Sequence, residues 1–121
     1  MQARILMAAA IAGFSGVALG AFGAHALKHS LSEYELDIYK TAVSYQMWHA
    51  LVLAAVAGLP ANPLLNWAAG LWIAGIVLFS GSLYLLALIK VSWLGMITPI
   101  GGVAFLVAWG LLAIVAYRHK S

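Results

Sequence analysis

The chain has no cysteine, only three carboxylate side chains and only six Lys/Arg residues among its 121 positions. Without a thiol there is no disulfide framework, no thiolate nucleophile and no cysteine-based zinc or iron–sulfur site. The shortage of charge excludes more. Charged residues make up 7% and hydrophobic residues 65%, against about 25% and 45–50% in soluble domains, so the chain lacks the material for a water-facing surface. The six cations are scattered, whereas a nucleic-acid partner needs a concentrated basic patch. The G-x-S-x-G, H-E-x-x-H, Walker and dinucleotide-binding fingerprints are missing too.

What is present is hydrocarbon in long runs, broken by one polar stretch. Residues 20–49 hold all three acidic residues (Glu33, Glu35, Asp37), three of the four histidines, and Lys28 and Lys40. On either side the apolar runs are long enough to be counted against the roughly 20 residues that cross a bilayer core. Four spans fit, at about 4–24, 41–59, 65–89 and 97–117, with an interfacial elbow at 25–40. The expected fold is therefore all-α: an integral membrane four-helix bundle forming one domain, with an amphipathic extension at the start of the second helix. Arg4, the apolar residues 5–22 and Ala24-His25-Ala26 also fit a secretory signal with a small-x-small cleavage site. A signal's apolar region usually covers about 7–15 residues, so a retained helix is the better reading.

On a helical wheel Ala9, Gly13, Gly16, Gly20 and Gly23 share one side of the first span. Gly16-x-x-x-Gly20 has the small-x-x-x-small spacing that lets a second helix approach closely. A packing face within the same chain is favoured over a homodimer seam. Gly70, Ala74 and Gly81 are expected to share a packing face of the third span, and Gly102 to serve the fourth. Ser32-x-x-Glu35 has the spacing of a capping box and should start the second helix. Glu33, Asp37, Lys40 and Ser44 then form one stripe and Tyr34, Ile38, Ala42 and Tyr45 another, a pattern suited to the headgroup level. The same helix enters the membrane, with or without a bend near residues 41–45.

Pro60 and Pro63 end that helix and make a tight hairpin. Trp67 and Trp72 near the start of the third span suit the membrane interface. Thr98-Pro99 reads as an N-cap followed by proline at the first helical position, or as a kink in a helix begun near Ser92, the first being favoured. Four spans place both termini on one side. Arg4, Arg118 and Lys120 lie there, against Lys28, Lys40 and Lys90 on the elbow side, and the α-amino group tips the balance toward cytoplasmic termini.

Polar groups at membrane depth are costly unless partnered. Tyr45, Gln46 and His49 cluster on one side of the second span, and Ser80 and Tyr84 pair at i,i+4 on the third. With His25 and Ser82 they form a candidate polar pocket. The plainer alternative is that His49, neutral and hydrogen-bonded to Gln46, Ser80, Ser82 or Tyr84, locks two helices together. His25 and His29 flank Lys28, but two imidazoles do not complete a coordination shell, and no metal or cofactor is expected. Glu33, Glu35 and Asp37 do not make a tuned acid/base pair, and no catalytic residue is identified.

GAFGAHAL at residues 20–27, YQ-x-x-HAL at 45–51, FSGSLYLL at 79–86 and TPIGG at 98–102 resemble the small inner-membrane proteins of the YgdD/YwdK type. The resemblance covers almost the whole chain. It implies a multi-pass four-helix protein of the bacterial inner membrane and carries no established activity. The expected function is non-enzymatic: interaction or membrane organisation, with the lipid bilayer, a second copy or another membrane protein as partner. The alternative is a small-molecule or proton-handling protein with its pocket around His49.

Overall fold

The computed structural model describes residues 1–119; Lys120, expected beside Arg118 at the interface, lies outside the described residues. Helix α1 covers Ala3–Ala26 and α2 covers Glu33–Ala57. Helix α3 is one helical run, Pro63–Ile89, and α4 covers Thr98–Arg118, entered through a 3-10 turn at Ser92–Met96. The described residues contain no strand. Three helical runs, Ala3–Ala26, Pro63–Ile89 and Ser92–Arg118, are long and apolar enough to cross a membrane. Helix α2 falls short of that apolarity because it carries Glu33, Glu35, Asp37 and Lys40 in its first turns and Gln46 and His49 further on, the last two buried. The chain is a helical membrane bundle.

Helix α2 begins where the sequence says it should. Ser32 Oγ accepts from the Glu35 amide while Glu35 Oε1 accepts from the Ser32 amide, at 3.1 and 2.9 Å. From there α2 runs 25 residues without a break, about 37 Å at 1.5 Å per residue. It lies antiparallel to α1 in a fixed register. The Gln2 amide donates to Ala57 O at one end, Gln46 to Ala12 O in the middle, and the Tyr39 hydroxyl to Leu19 O at the other end. Gly16, Gly20 and Gly23 face Met47, Val43 and Tyr39 along this seam. The small-residue face of α1 is thus occupied by α2 of the same chain.

At the far end Asn62 caps α3, with its Oδ1 accepting from the Leu64 amide and Pro63 opening the helix. Helix α3 changes its winding at Ile76–Ser80, where the Gly81 amide reaches back five residues to Ile76 O in a π-turn. The extra residue resets which side chains face inward. Leu65, Ala68, Ala69, Trp72 and Gly75 are buried before it, and Ser80, Ser82, Leu83 and Ala87 at or after it. The face expected of Gly70, Ala74 and Gly81 is interrupted by this shift, and a Cβ on Gly70 or Gly81 would meet no neighbour. Gly13 is equally open, and Gly102 lies only in ordinary contact distance of Phe79. In α3 and α4 the tight approaches are at Gly75, against the Phe105 ring, and Gly101, where a Cβ would come within 2.8 Å of Phe79 Cα.

Two further expectations are corrected. Trp72 is not interfacial but fully buried, edge-on to Trp109 at 5.4 Å, while Trp67 faces outward. Thr98 does not cap α4. It already lies inside the helix, and its hydroxyl is hydrogen-bonded to Ser82 instead. The core of the bundle joins Leu53, Val56, Leu65, Ala68, Trp72, Phe105 and Ala108.

Gly101 meets backbone, which cannot rotate away, so Gly101→Val should destabilise the bundle by about 1–3 kcal/mol. Gly13→Ala should not, and reversible unfolding in detergent micelles would separate the two. The capping box adds a pH dependence. The Ser32 amide, and beyond it Lys90 at 3.4 Å, hold the Glu35 carboxyl below its ordinary value of 4.5. Its stabilising contribution is complete above that value and is lost as pH falls through the lower folded one. The protection factors of the Ser32 and Glu35 amides, which remove the intrinsic pH dependence of exchange, should therefore fall on acidification below about pH 4.5 and stay flat above it.

Candidate functional site

In lipid a polar group finds no partner outside the protein, and among the described residues Gln2 Nε2 and Trp72 Nε1 are the buried side-chain atoms left without one. Gln46 shows the opposite outcome. Its Nε2 donates to Ala12 O at 2.9 Å and to Ser15 Oγ at 2.8 Å, and its Oε1 accepts from the Tyr84 hydroxyl at 2.6 Å. A carbonyl oxygen only accepts, so the nitrogen of the amide must face Ala12, and Tyr84 is then necessarily the donor. Ser15 passes its own proton to Ile11 O at 2.8 Å. The chain Tyr84, Gln46, Ser15 thus joins α3, α2 and α1 with each hydrogen assigned.

His49 lies one turn further along α2, and its bonds are separate from those of Gln46. Its Nδ1 is 2.7 Å from Tyr45 O, and its Nε2 accepts from Trp109 Nε1 at 3.2 Å. The first contact requires a proton on Nδ1 and the second a lone pair on Nε2, which fixes one neutral tautomer. The ring also stacks on Phe105, with centroids 3.8 Å apart and planes 8° from parallel. Both nitrogens are engaged. Trp109, the partner that ties α2 to α4, is absent from the polar set expected from the sequence. Tryptophan in an apolar run reads as hydrocarbon, and its single N–H reveals nothing of its aim.

The seven expected residues thus fall into several groups and do not share one hydrogen-bond network. Gln46 and Tyr84 are bonded to each other, and Tyr45 supplies its carbonyl to His49 and packs its ring, tilted by 36°, on Phe79 at 4.3 Å. Ser80 donates to Ala42 O at 2.7 Å, tying the π-turn of α3 to α2, and Ser82 is bonded to Thr98 and to Phe79 O. His25 is exposed in the last turn of α1 and shares no hydrogen bond with the others. None of these groups gathers carboxylates or further imidazoles: among the described residues no set of three or more His, Asp or Glu side chains is placed to hold a metal ion.

Open space lies beside these bonds rather than between them. A cavity of about 680 Å³ flanks His49 and is lined by Tyr45, Trp48, Phe79, Pro99, Phe105 and Trp109 among others. Two more, of about 540 and 330 Å³, lie along the cleft between α1 and α3.

The fold and the order of its motifs agree with the comparisons. A family model described as a protein of unknown function, DUF423, matches residues 19–102. The chain belongs to the DUF423 family. It is 44% identical over 117 residues to the UPF0382 membrane protein YwdK of Bacillus subtilis, covering 91% of this chain and 93% of that one. The UPF0382 membrane protein of Haemophilus influenzae is 42% identical over 123 residues, with 100% and 99% covered. The UPF0382 inner membrane protein YgdD of Escherichia coli is 40% identical over 119 residues, with 96% and 91% covered. No solved structure matches the chain. The family establishes a multi-pass membrane protein and assigns it no catalytic role.

Membrane hydrogen bonds average about 0.6 kcal/mol each, so Gln46→Leu, which breaks three, should cost about 2 kcal/mol. Trp109→Phe should cost about 1 kcal/mol by leaving His49 Nε2 without a donor. Unfolding measurements would give both values. Nitrogen NMR of His49 should show a protonated Nδ1 in the parent protein, and a doubly protonated ring would refute the clamp.

Proposed function

We propose that the protein works by contact within the membrane, as a non-catalytic interaction or membrane-organising protein of a bacterial inner membrane. One observation carries this reading: the inward polar side chains spend their hydrogen bonds holding the helices together, while an outer surface is left to make contacts. Helix α1 packs chiefly on α2, and Met7, Ile11, Phe14 and Val17 stand exposed on its other side. The placement beside an inner membrane is supported by the relative from Escherichia coli, whose name carries it. That α2 also crosses the bilayer is supported by its register along α1, since the contacts at Ala57 and Tyr39 run nearly the whole apolar length of its neighbour.

A small-molecule reading has one observation in its favour, the aromatic cavity beside His49. A ligand there would be held by the faces of Phe79, Phe105 and Trp109. His49 would have to give up Trp109 before it bonded or exchanged a proton with the ligand.

Photo-crosslinking in native membranes tests the contact reading. A benzophenone side chain is introduced singly at Phe14, Val17, Val103 and Leu106, all exposed on the bundle exterior. Contact by the α1 face should give a discrete adduct from Phe14 or Val17 that survives mild detergent. Uniform labelling from all four positions, the pattern of unselective bilayer lipid, would sink the reading.

A further inference from the structure

The cleft between α1 and α3 differs from the rest of the lipid-facing surface. Its wide end is lined by Gln2, Arg4, Asn66 and Gly70, in a cavity of about 540 Å³. Its narrow end, of about 330 Å³, runs on past Ile11, Ile76 and Val77, with Ile73 common to both. From Asn66 to Val77 the track follows α3 for about 16 Å by helical rise. Half of a roughly 30 Å hydrocarbon core is about 15 Å, so the cleft has the depth of one leaflet.

The wide end carries a positive charge and unspent donors. Arg4 has no carboxylate beside it: the only ion pair among the described residues is Lys90 with Glu35, at the opposite end. Gln2 lines the same cavity, and its Nε2 is buried behind the surface without a hydrogen-bond partner. Helix α1 starts there with neither a capping side chain nor a carboxylate in its first turn. The charge distribution favours anions at this end as a whole. The three carboxylate side chains fall on the elbow, where they balance Lys28, Lys40 and Lys90, while Arg4 and Arg118 lie at the other end. Gly70 completes the pattern. No neighbouring atom requires a glycine there, and a side chain at that position would project into the track.

We infer that the α1/α3 cleft binds one anionic phospholipid, its phosphate held by Arg4 and one acyl chain laid along Gly70 and Ile73. Unselective bilayer lipid would have no need of the unpaired cation. The inference rests on the contact reading above and names a lipid as one of the contacts.

The test is native mass spectrometry of the full chain released from nanodiscs of phosphatidylcholine doped with phosphatidylglycerol. The parent protein should retain one phosphatidylglycerol, with a preference over phosphatidylcholine of about fivefold, the factor expected for one basic side chain near an anionic headgroup. Gly70→Leu should lose the retained lipid, while Gly110→Leu, at another glycine whose Cβ meets nothing, keeps it. Arg4→Gln, at an exposed position, should retain lipid but bring the preference to about one. Unchanged retention in Gly70→Leu, or an unchanged preference in Arg4→Gln, would overturn the site. Either result would leave the crosslinking from Phe14 and Val17 untouched, so the two readings fail separately.

Discussion

Hydrogen bonds that lipid cannot supply govern this structure, and Gln46 is where they concentrate. An amide at membrane depth has two donors and an acceptor to satisfy, and no single neighbouring helix offers all three partners. The solution draws Ala12 and Ser15 from α1 and Tyr84 from α3 onto one side chain of α2. Helix α2 is thereby committed to the middle of the bundle. This also explains part of its composition: beyond the charges of its first turns, α2 carries Gln46 and His49, which meet protein and not acyl chains. Once α2 is fixed, its neighbours are fixed around it, α1 by the antiparallel register and α4 by the bond from Trp109 to His49.

Close approach is the second constraint, and it acts where no polar group is involved. The π-turn in α3 carries the backbone of Phe79 against Gly101 of α4, and the same turn points Ser80 at Ala42 O of α2. One extra residue in the winding therefore serves two interfaces on different sides of α3. A regular helix would keep the inward face of residues 65–75 in phase past residue 80 and aim only one of these groups correctly. Irregular winding costs little inside a bundle where Gly81 still finds Ile76 O for its amide.

The sequence made the class, the elbow, the capping box and the Gly16/Gly20 seam legible, because each rests on local chemistry or on period. Long apolar runs and Ser32-x-x-Glu35 carry their meaning without reference to a distant residue. The site was legible only in part. Tyr45, Gln46, His49, Ser80, Ser82 and Tyr84 stand out as polar residues in hydrocarbon, but which of them meet depends on helix rotation, and the π-turn changes that rotation midway through α3. Gly101 and not Gly102 faces α3 for the same reason: adjacent residues point about 100° apart, and a start to α4 placed one residue away exchanges their roles. Trp109 escaped notice because its relevance lies in one N–H.

The fate of His49 separates the possible kinds of function. A proton carrier or a general base needs a nitrogen that is free, or freed by substrate, at the moment of transfer. Here one nitrogen is bonded within its own helix and the other receives the only N–H that Trp109 has. Freeing it would unpair an indole and an imidazole in a medium with no water to replace either bond, and would loosen α2 from α4. The cost of using His49 chemically is thus charged to the fold itself. Arg4 presents the opposite case. Its charge is exposed at the mouth of the cleft with no carboxylate beside it, and engaging it breaks nothing. Most inward polar groups of this bundle are bonded within it, with Trp72 Nε1 the exception in the core, so the charge that can be engaged without breaking a bond is the one at its periphery.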